Sequence, residues 1–269
     1  MNIILSQYPT MLFIGNGFDQ ALGHKTSYSE FYKSKFFKAL LIKGNALCIQ
    51  IYNQTKKLPD DNKWSDLENG LYDYSKSLTQ TFGEGNVNIA KWFEEEFDEL
   101  KQSLFDYLRY IQEEDVPYGG RPKLLLKWKE LSPQIVTFNY TRSLPIELND
   151  EAYISNKKII PLHGTIDNIL PNQKKSKDDI VLGIDENQKV EELHSFLYKS
   201  RQRKFDIRQL QQLINNQNNY IVFGCSMGMS DATYFKILFD EQQSGKRYLI
   251  YGKDAESVWN IQKKLIQLC

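Results

Sequence analysis

No other stretch narrows the choice of fold as far as Met11 to Asp19. Met11, Leu12, Phe13 and Ile14 make a short apolar run that predicts a buried strand. The run stops at Gly15-Asn16-Gly17, where missing Cβ atoms make a sharp turn and a close backbone approach inexpensive. A helical pattern follows. Strand, glycine turn and helix start is the way α/β proteins present backbone N–H groups to a phosphate. Glycine pairs after strands are also common as plain turns, so the rest of the chain has to decide between the two.

Downstream of Ser132 the pattern alternates. Apolar and β-branched runs predict strands at Ile135–Phe138, Lys158–Leu162, Ile180–Gly183, Tyr220–Phe223 and Tyr248–Tyr251. Helical segments fall near Val190–Ser200, Phe205–Asn215, Ala232–Asp240 and Ala255–Leu268. That alternation predicts an α/β protein with a Rossmann-like, mostly parallel sheet. The opening strand needs this sheet as its home. Residues 1–26 and 132–269 therefore form the nucleotide-binding-type domain, and residues 27–131 a large helical insertion after the first strand.

Inside the insertion, Ser27 and Glu30 have the spacing of a capping box. After Gly85-Asn86, Ile89, Phe93, Phe97, Leu100, Leu104, Leu108 and Ile111 recur at steps of three and four, one apolar stripe along a long helix. Core packing explains that stripe.

Lys+Arg and Asp+Glu both number 34, so no global charge footprint for nucleic acid exists. The Lys174, Lys175 and Lys177 loop reads as solvated surface, or as a local basic patch of a toxin acting on translation or nucleic acid. The three cysteines, Cys48, Cys225 and Cys269, give neither a disulfide framework nor zinc spacing. No apolar run approaches the roughly 20 residues that span a bilayer, and MNIILSQYPT lacks the marks of a signal peptide. A cytoplasmic protein with no membrane partner and no metal is expected.

Ligands of open α/β sheets bind outside the carboxyl ends of the strands. The segments leaving the predicted strands are rich in chemistry: Gly15 to Asp19, Asn139 to Arg142, His163 to Thr165, Gly183 to Asp185 and Gly224 to Asp231. His163 follows an apolar strand directly. It reads as a general base or a ribose contact, or as a satisfied strand-end histidine. Asn139 offers a carboxamide that donates and accepts, or it closes a turn. Asp19 reaches a ribose hydroxyl or caps a helix. His194 is expected on a helix surface. Gly224-Cys225-Ser226-Met227-Gly228 fits the nucleophile-elbow pattern of serine hydrolases, but no histidine follows Ser226 to complete their order. A glycine and serine turn that holds phosphate or ribose oxygens fits better.

Taken in order, these segments resemble a known family. Ile14 to Asp19, Leu22 to Phe31, Trp64 to Glu68, Thr137 to Thr141, Leu162 to Gly164 and Gly224 to Asp231 look like the landmarks of the AbiH family of bacterial abortive-infection proteins. The same landmarks look like a distant sirtuin-type NAD fold. That resemblance implies that Gly15 and Gly17 approach the pyrophosphate, that Gly224 and Ser226 hold the adenosine side, and that Asn16, Asp19 and Asp231 also bind the nucleotide. Asn139 and His163 would be the catalytic pair. The four-cysteine zinc module usual in sirtuin deacylases has no counterpart here. Trp64 to Glu68 finds no sirtuin counterpart either. Its acidic residues are cap and surface groups, or one of them reaches into the cleft.

The resemblance implies antiviral defence, with NAD or a related nucleotide cut at its N-glycosidic bond. The alternative is a module that senses an ADP-ribose-like nucleotide without turning it over and acts through a protein partner. The insertion would be a lid or a sensing surface, and its aromatic helices a core or a face for a homo-oligomer.

Overall fold

A computed structural model of the chain describes residues 10–56, 66–113, 128, 133–148, 159–166, 175–202, 205–239 and 245–268. The Pro59–Lys63 loop, Trp64, Lys174 and Cys269 lie outside the described residues.

Five strands form one parallel sheet: β1 (Thr10–Ile14), β2 (Gln134–Thr137), β3 (Ile159–Pro161), β4 (Asn219–Phe223) and β5 (Arg247–Tyr251). Their order is β3-β2-β1-β4-β5. β1 is central, with Leu12 opposite Ile135 on one side and Ile221 on the other. The first crossovers run outward from β1 to β3, and the chain then returns to the other side of β1 for β4. The strand order thus reverses between β1 and β4, the point where doubly wound sheets open a ligand crevice.

Alternation along each strand divides the core between two faces. Met11, Phe13, Val136, Ile160, Tyr220 and Val222 join one cluster with Leu210, Phe235 and Ile261 from the helices Ile207–Asn215, Ala232–Leu238 and Ala255–Leu268. Leu12, Ile14, Ile135, Ile159 and Ile221 join the other, with Phe18, Leu22, Trp128 and Leu144. Both faces of the sheet are covered. This is why its strands read as unbroken apolar runs.

The helical insertion follows α1 (Gly17–Ala21) as α2 (Tyr28–Lys33), α3 (Lys35–Lys43), α4 (Ala46–Thr55), α5 (Asp66–Phe82) and α6 (Val87–Glu113). Ser27 caps α2 by accepting the Glu30 amide at 3.1 Å. The reciprocal half of the box is not made, because Glu30 pairs with Lys33 at 2.8 Å. Phe93, Phe97, Leu100, Leu104, Leu108 and Ile111 of α6 are all buried in the insertion core. Glu96, on the same helix, is buried as well and earns that place by accepting the Ala46 and Leu47 amides at the start of α4 and the Tyr74 hydroxyl.

Two expectations are corrected. Ile180–Gly183 is not a sheet strand: this segment makes only isolated bridges, Gly164 with Ile180 and Ile184 with Tyr198. Ile180, Leu182 and Ile184 are apolar because they pack into the insertion core. Nor is His194 on a surface. It is 2% exposed, bonded to Ser75 through Nδ1 at 2.9 Å and packed edge-on against Phe93. Among the described residues, no helix is long and apolar enough to cross a membrane.

Candidate functional site

Because the strands are parallel, β1, β2, β3 and β4 all end on one edge. The segments leaving them line a cleft of about 820 Å³ counted out to its mouth. The insertion faces the sheet edge across this cleft, with Tyr28 from α2, Glu68 from α5, and Leu104 and Leu108 from α6.

One wall is built from backbone. Gly15 donates its amide to the Phe223 carbonyl and Gly17 to the Gly224 carbonyl, each at 2.9 Å. A Cβ on Gly15 would stand 2.5 Å from the Gly224 oxygen, and one on Gly17 2.6 Å from Gly224 Cα. Gly224 itself has φ +65°, and its own Cβ would meet Gly17 Cα at 2.7 Å. The turn after β1 and the turn after β4 are therefore locked together, backbone on backbone. Their two inner amides are used within the protein, and Gly15 borders the cleft. Gly17 sits behind it, outside the cleft lining. Asn16 donates Nδ2 to the Thr26 carbonyl at 2.9 Å and accepts the Thr26 hydroxyl, which ties the turn to the approach to α2. Met227, in the loop after β4, holds φ +49°. This is a strained value for a residue with a side chain.

The floor is polar. Asn139, 6% exposed, donates Nδ2 to Asp19 Oδ1 at 3.0 Å. The Thr141 hydroxyl donates to Asp19 Oδ2, and the Ser143 hydroxyl donates in turn to Thr141 Oγ1. Burial pushes the Asp19 carboxyl up, against the pull of Thr141, His24, Ser143 and Asn139. Asp19 thus orients Asn139. The carboxamide oxygen of Asn139 is buried and has no hydrogen-bond partner among the described residues. A buried orphan acceptor is costly and calls for an explanation.

The other wall carries charge. His163 Nε2 lies 2.8 Å from Asp231 Oδ1. Lys199 Nζ lies 2.8 Å from the same oxygen and 2.8 Å from Glu68 Oε1. Burial alone would raise the Asp231 carboxyl, but Lys199 and His163 outweigh it and hold it well below the usual carboxylate range. Burial alone would lower the Lys199 ammonium, but Asp231 and Glu68 outweigh it and hold it above its ordinary value. With Asp231 ionised, the hydrogen of its bond to His163 belongs on Nε2, leaving Nδ1 as the basic nitrogen. Tyr28 and Tyr140 complete this corner. Burial, with Glu68 and each other nearby, pushes the phenol of Tyr28 well up, and burial does the same for Tyr140.

Of the residues singled out in the sequence, Gly15, Asn16, Asp19, Asn139, His163, Gly224, Ser226 and Asp231 all line this one cleft. Asp231 lies against His163. Cys225 also lines the cleft, but burial pushes its thiol up, as expected of a packing residue and not a nucleophile. Lys199 carried no signal, since Tyr198-Lys199-Ser200-Arg201 reads as an ordinary solvated turn of helix. Glu68, from α5, reaches inward to the cleft. The described residues hold no cluster of His, Cys, Asp and Glu that could bind a metal ion.

The fold and cleft define a doubly wound α/β protein with a polar cleft at its topological switch point, walled on one side by a helical insertion. The chain matches the AbiH family, bacteriophage abortive infection, over residues 11–251, and it belongs to that family. It is an abortive-infection protein of phage defence. Compared with curated proteins and with solved structures, the chain shows no significant match to either.

Proposed function

We propose that the cleft binds NAD or a related nucleotide and hydrolyses its N-glycosidic bond. The observation that carries this reading is the pairing, on adjacent strand ends of one cleft, of an oriented carboxamide with an unsatisfied buried oxygen and an imidazole braced by an ionised aspartate.

In NAD the departing nicotinamide is already cationic, so its C1′–N bond breaks with the electron pair going to the ring nitrogen. The demand on the protein is to stabilise an oxocarbenium-like ribose and to direct a water at C1′. Asn139 Oδ1 is suited to accept a hydrogen from that water or from a ribose hydroxyl. His163 Nδ1 is suited to take the proton released as the new C1′–O bond forms, and to pass it to solvent. Asp231 orients the ring, as a carboxylate does for a catalytic histidine. Gly15 and Ser226 border the remainder of the nucleotide, as does the Gly224 turn. The same arrangement of glycine turn, Asn, His and closing Gly-Ser turn supports reading the site as sirtuin-like.

Purified protein incubated with NAD, alone and with lysate of phage-infected cells, should release nicotinamide. His163→Ala should lower the rate by about 10²–10⁴-fold, the usual contribution of a positioned base. Intact NAD under both conditions overturns the proposal. If calorimetry then shows the intact nucleotide bound, the cleft is instead a sensor acting through a partner.

A further inference from the structure

The buried charges run past the imidazole into the insertion: His163, Asp231, Lys199 and Glu68 form an unbroken line, with each successive contact at 2.8 Å. We infer that Lys199 and Glu68 are positioning residues that act in opposite senses on the proton of His163, so that the insertion, through Glu68, tunes the base at the sheet edge. This deepens the reading above and rests on it only for the role of His163 as a base.

The argument is one of charge count in a poorly solvated corner. His163 faces Asp231 at Nε2 and the rings of Phe138, Tyr140 and Tyr234. Around Asp231 and Lys199 stand Glu68, Tyr28, Tyr140 and Cys225. Burial raises the phenols of Tyr28 and Tyr140 and the Cys225 thiol, so these groups are neutral near pH 7. Glu68, Lys199 and Asp231 remain as the facing charges. Lys199 neutralises one carboxylate and removes the reason for a proton to reside on the imidazole. Take Lys199 away and two buried carboxylates draw that proton in. Glu68 works against Lys199: without it, the ammonium offsets Asp231 fully and the neutral ring is favoured further. Opposite charges a few ångströms apart shift titrations by about 1–3 units, ample to move a histidine across neutrality.

The test reads the imidazole directly. NMR titration of the full chain follows its three histidines, with His24→Gln and His194→Gln identifying the other two signals. Lys199→Met should move the His163 midpoint upward by about one pH unit or more, and Glu68→Gln should move it downward. Divergent shifts support the proposal; unmoved midpoints, or shifts in one direction for both variants, overturn it. If Lys199→Met does not fold, Glu68→Gln alone decides: a downward shift supports, and none or an upward one overturns. Because the titration needs no substrate, divergent midpoints with intact NAD would remove only the glycohydrolase reading. Nicotinamide release with unmoved midpoints would remove only this one. Where release occurs, the acid limb of its pH profile should follow the midpoints, which a purely structural role would not produce.

Discussion

The two walls of the cleft are held by different physics. On the glycine side, Gly15, Gly17 and Gly224 meet through main-chain atoms alone, and the contact depends on shape. On the opposite side, Glu68, Lys199, Asp231 and His163 meet through side chains, and the contact depends on charge. A shape contact is indifferent to pH. A charge contact is not: the lowered Asp231 contributes stability that is complete above its ordinary value of 3.8 and lost as pH falls through its folded value. The raised Lys199 contributes stability that is complete below 10.5 and lost as pH rises through its folded value. The charged wall is therefore fully formed between those two limits, whereas the glycine wall should persist across them.

The sharpest way to separate the walls is to remove the central cation. Lys199→Met leaves Asp231 and Glu68 buried without their partner and should cost about 3–5 kcal/mol at pH 7. The loss should shrink at pH 4, where the stranded carboxylates can take up protons, and urea unfolding at both values checks it. Next in size, Gly15→Ala drives a Cβ into the Gly224 carbonyl and should cost about 1–3 kcal/mol, with the same cost at pH 4 and pH 7. A pH-dependent cost there would erase the distinction between the walls. Asn139→Ala removes one hydrogen bond to Asp19 together with the orphan oxygen, so its stability cost should be no more than about 1 kcal/mol. NAD turnover in that variant should nonetheless fall steeply, which separates the floor from both walls.

The smallest effect lies at His194, which packs against the insertion through Phe93 and Ser75. Burial lowers the His194 imidazole, partly offset by Glu191. A histidine kept neutral in the folded state gives stability that is present above the ordinary value of 6.5 and lost as pH falls through the folded value. The unfolding midpoint should therefore decline below about pH 6.5 in the wild type and decline less in His194→Gln.

The sheet and most of the site were legible for one reason. In a parallel sheet, each strand announces itself as an apolar run, and the residue after it is delivered to a common edge. Asn139 and His163 stand directly after such runs, and Gly15 and Gly224 mark the two turns that have to touch. Lys199 was not legible, because a lysine that is 3% exposed has the same letter as a solvated one, and its partners lie 131 and 32 positions away, at Glu68 and Asp231. Ile180 to Gly183 misled for a related reason. Apolar runs report burial, and this one is buried against the insertion without joining a ladder. His194 was misplaced because nothing local in Glu192-Leu193-His194 shows that Phe93 and Ser75 will close over it.

Among the described residues, the first along the cleft lining is Gly15 and the last is Phe235. All the segments between these two positions must therefore be made before the pocket can exist. A product stalled within β4 would carry the imidazole and the carboxamide but neither Asp231 nor the Gly224 turn. Chains that stop short of Phe235 lack a complete pocket.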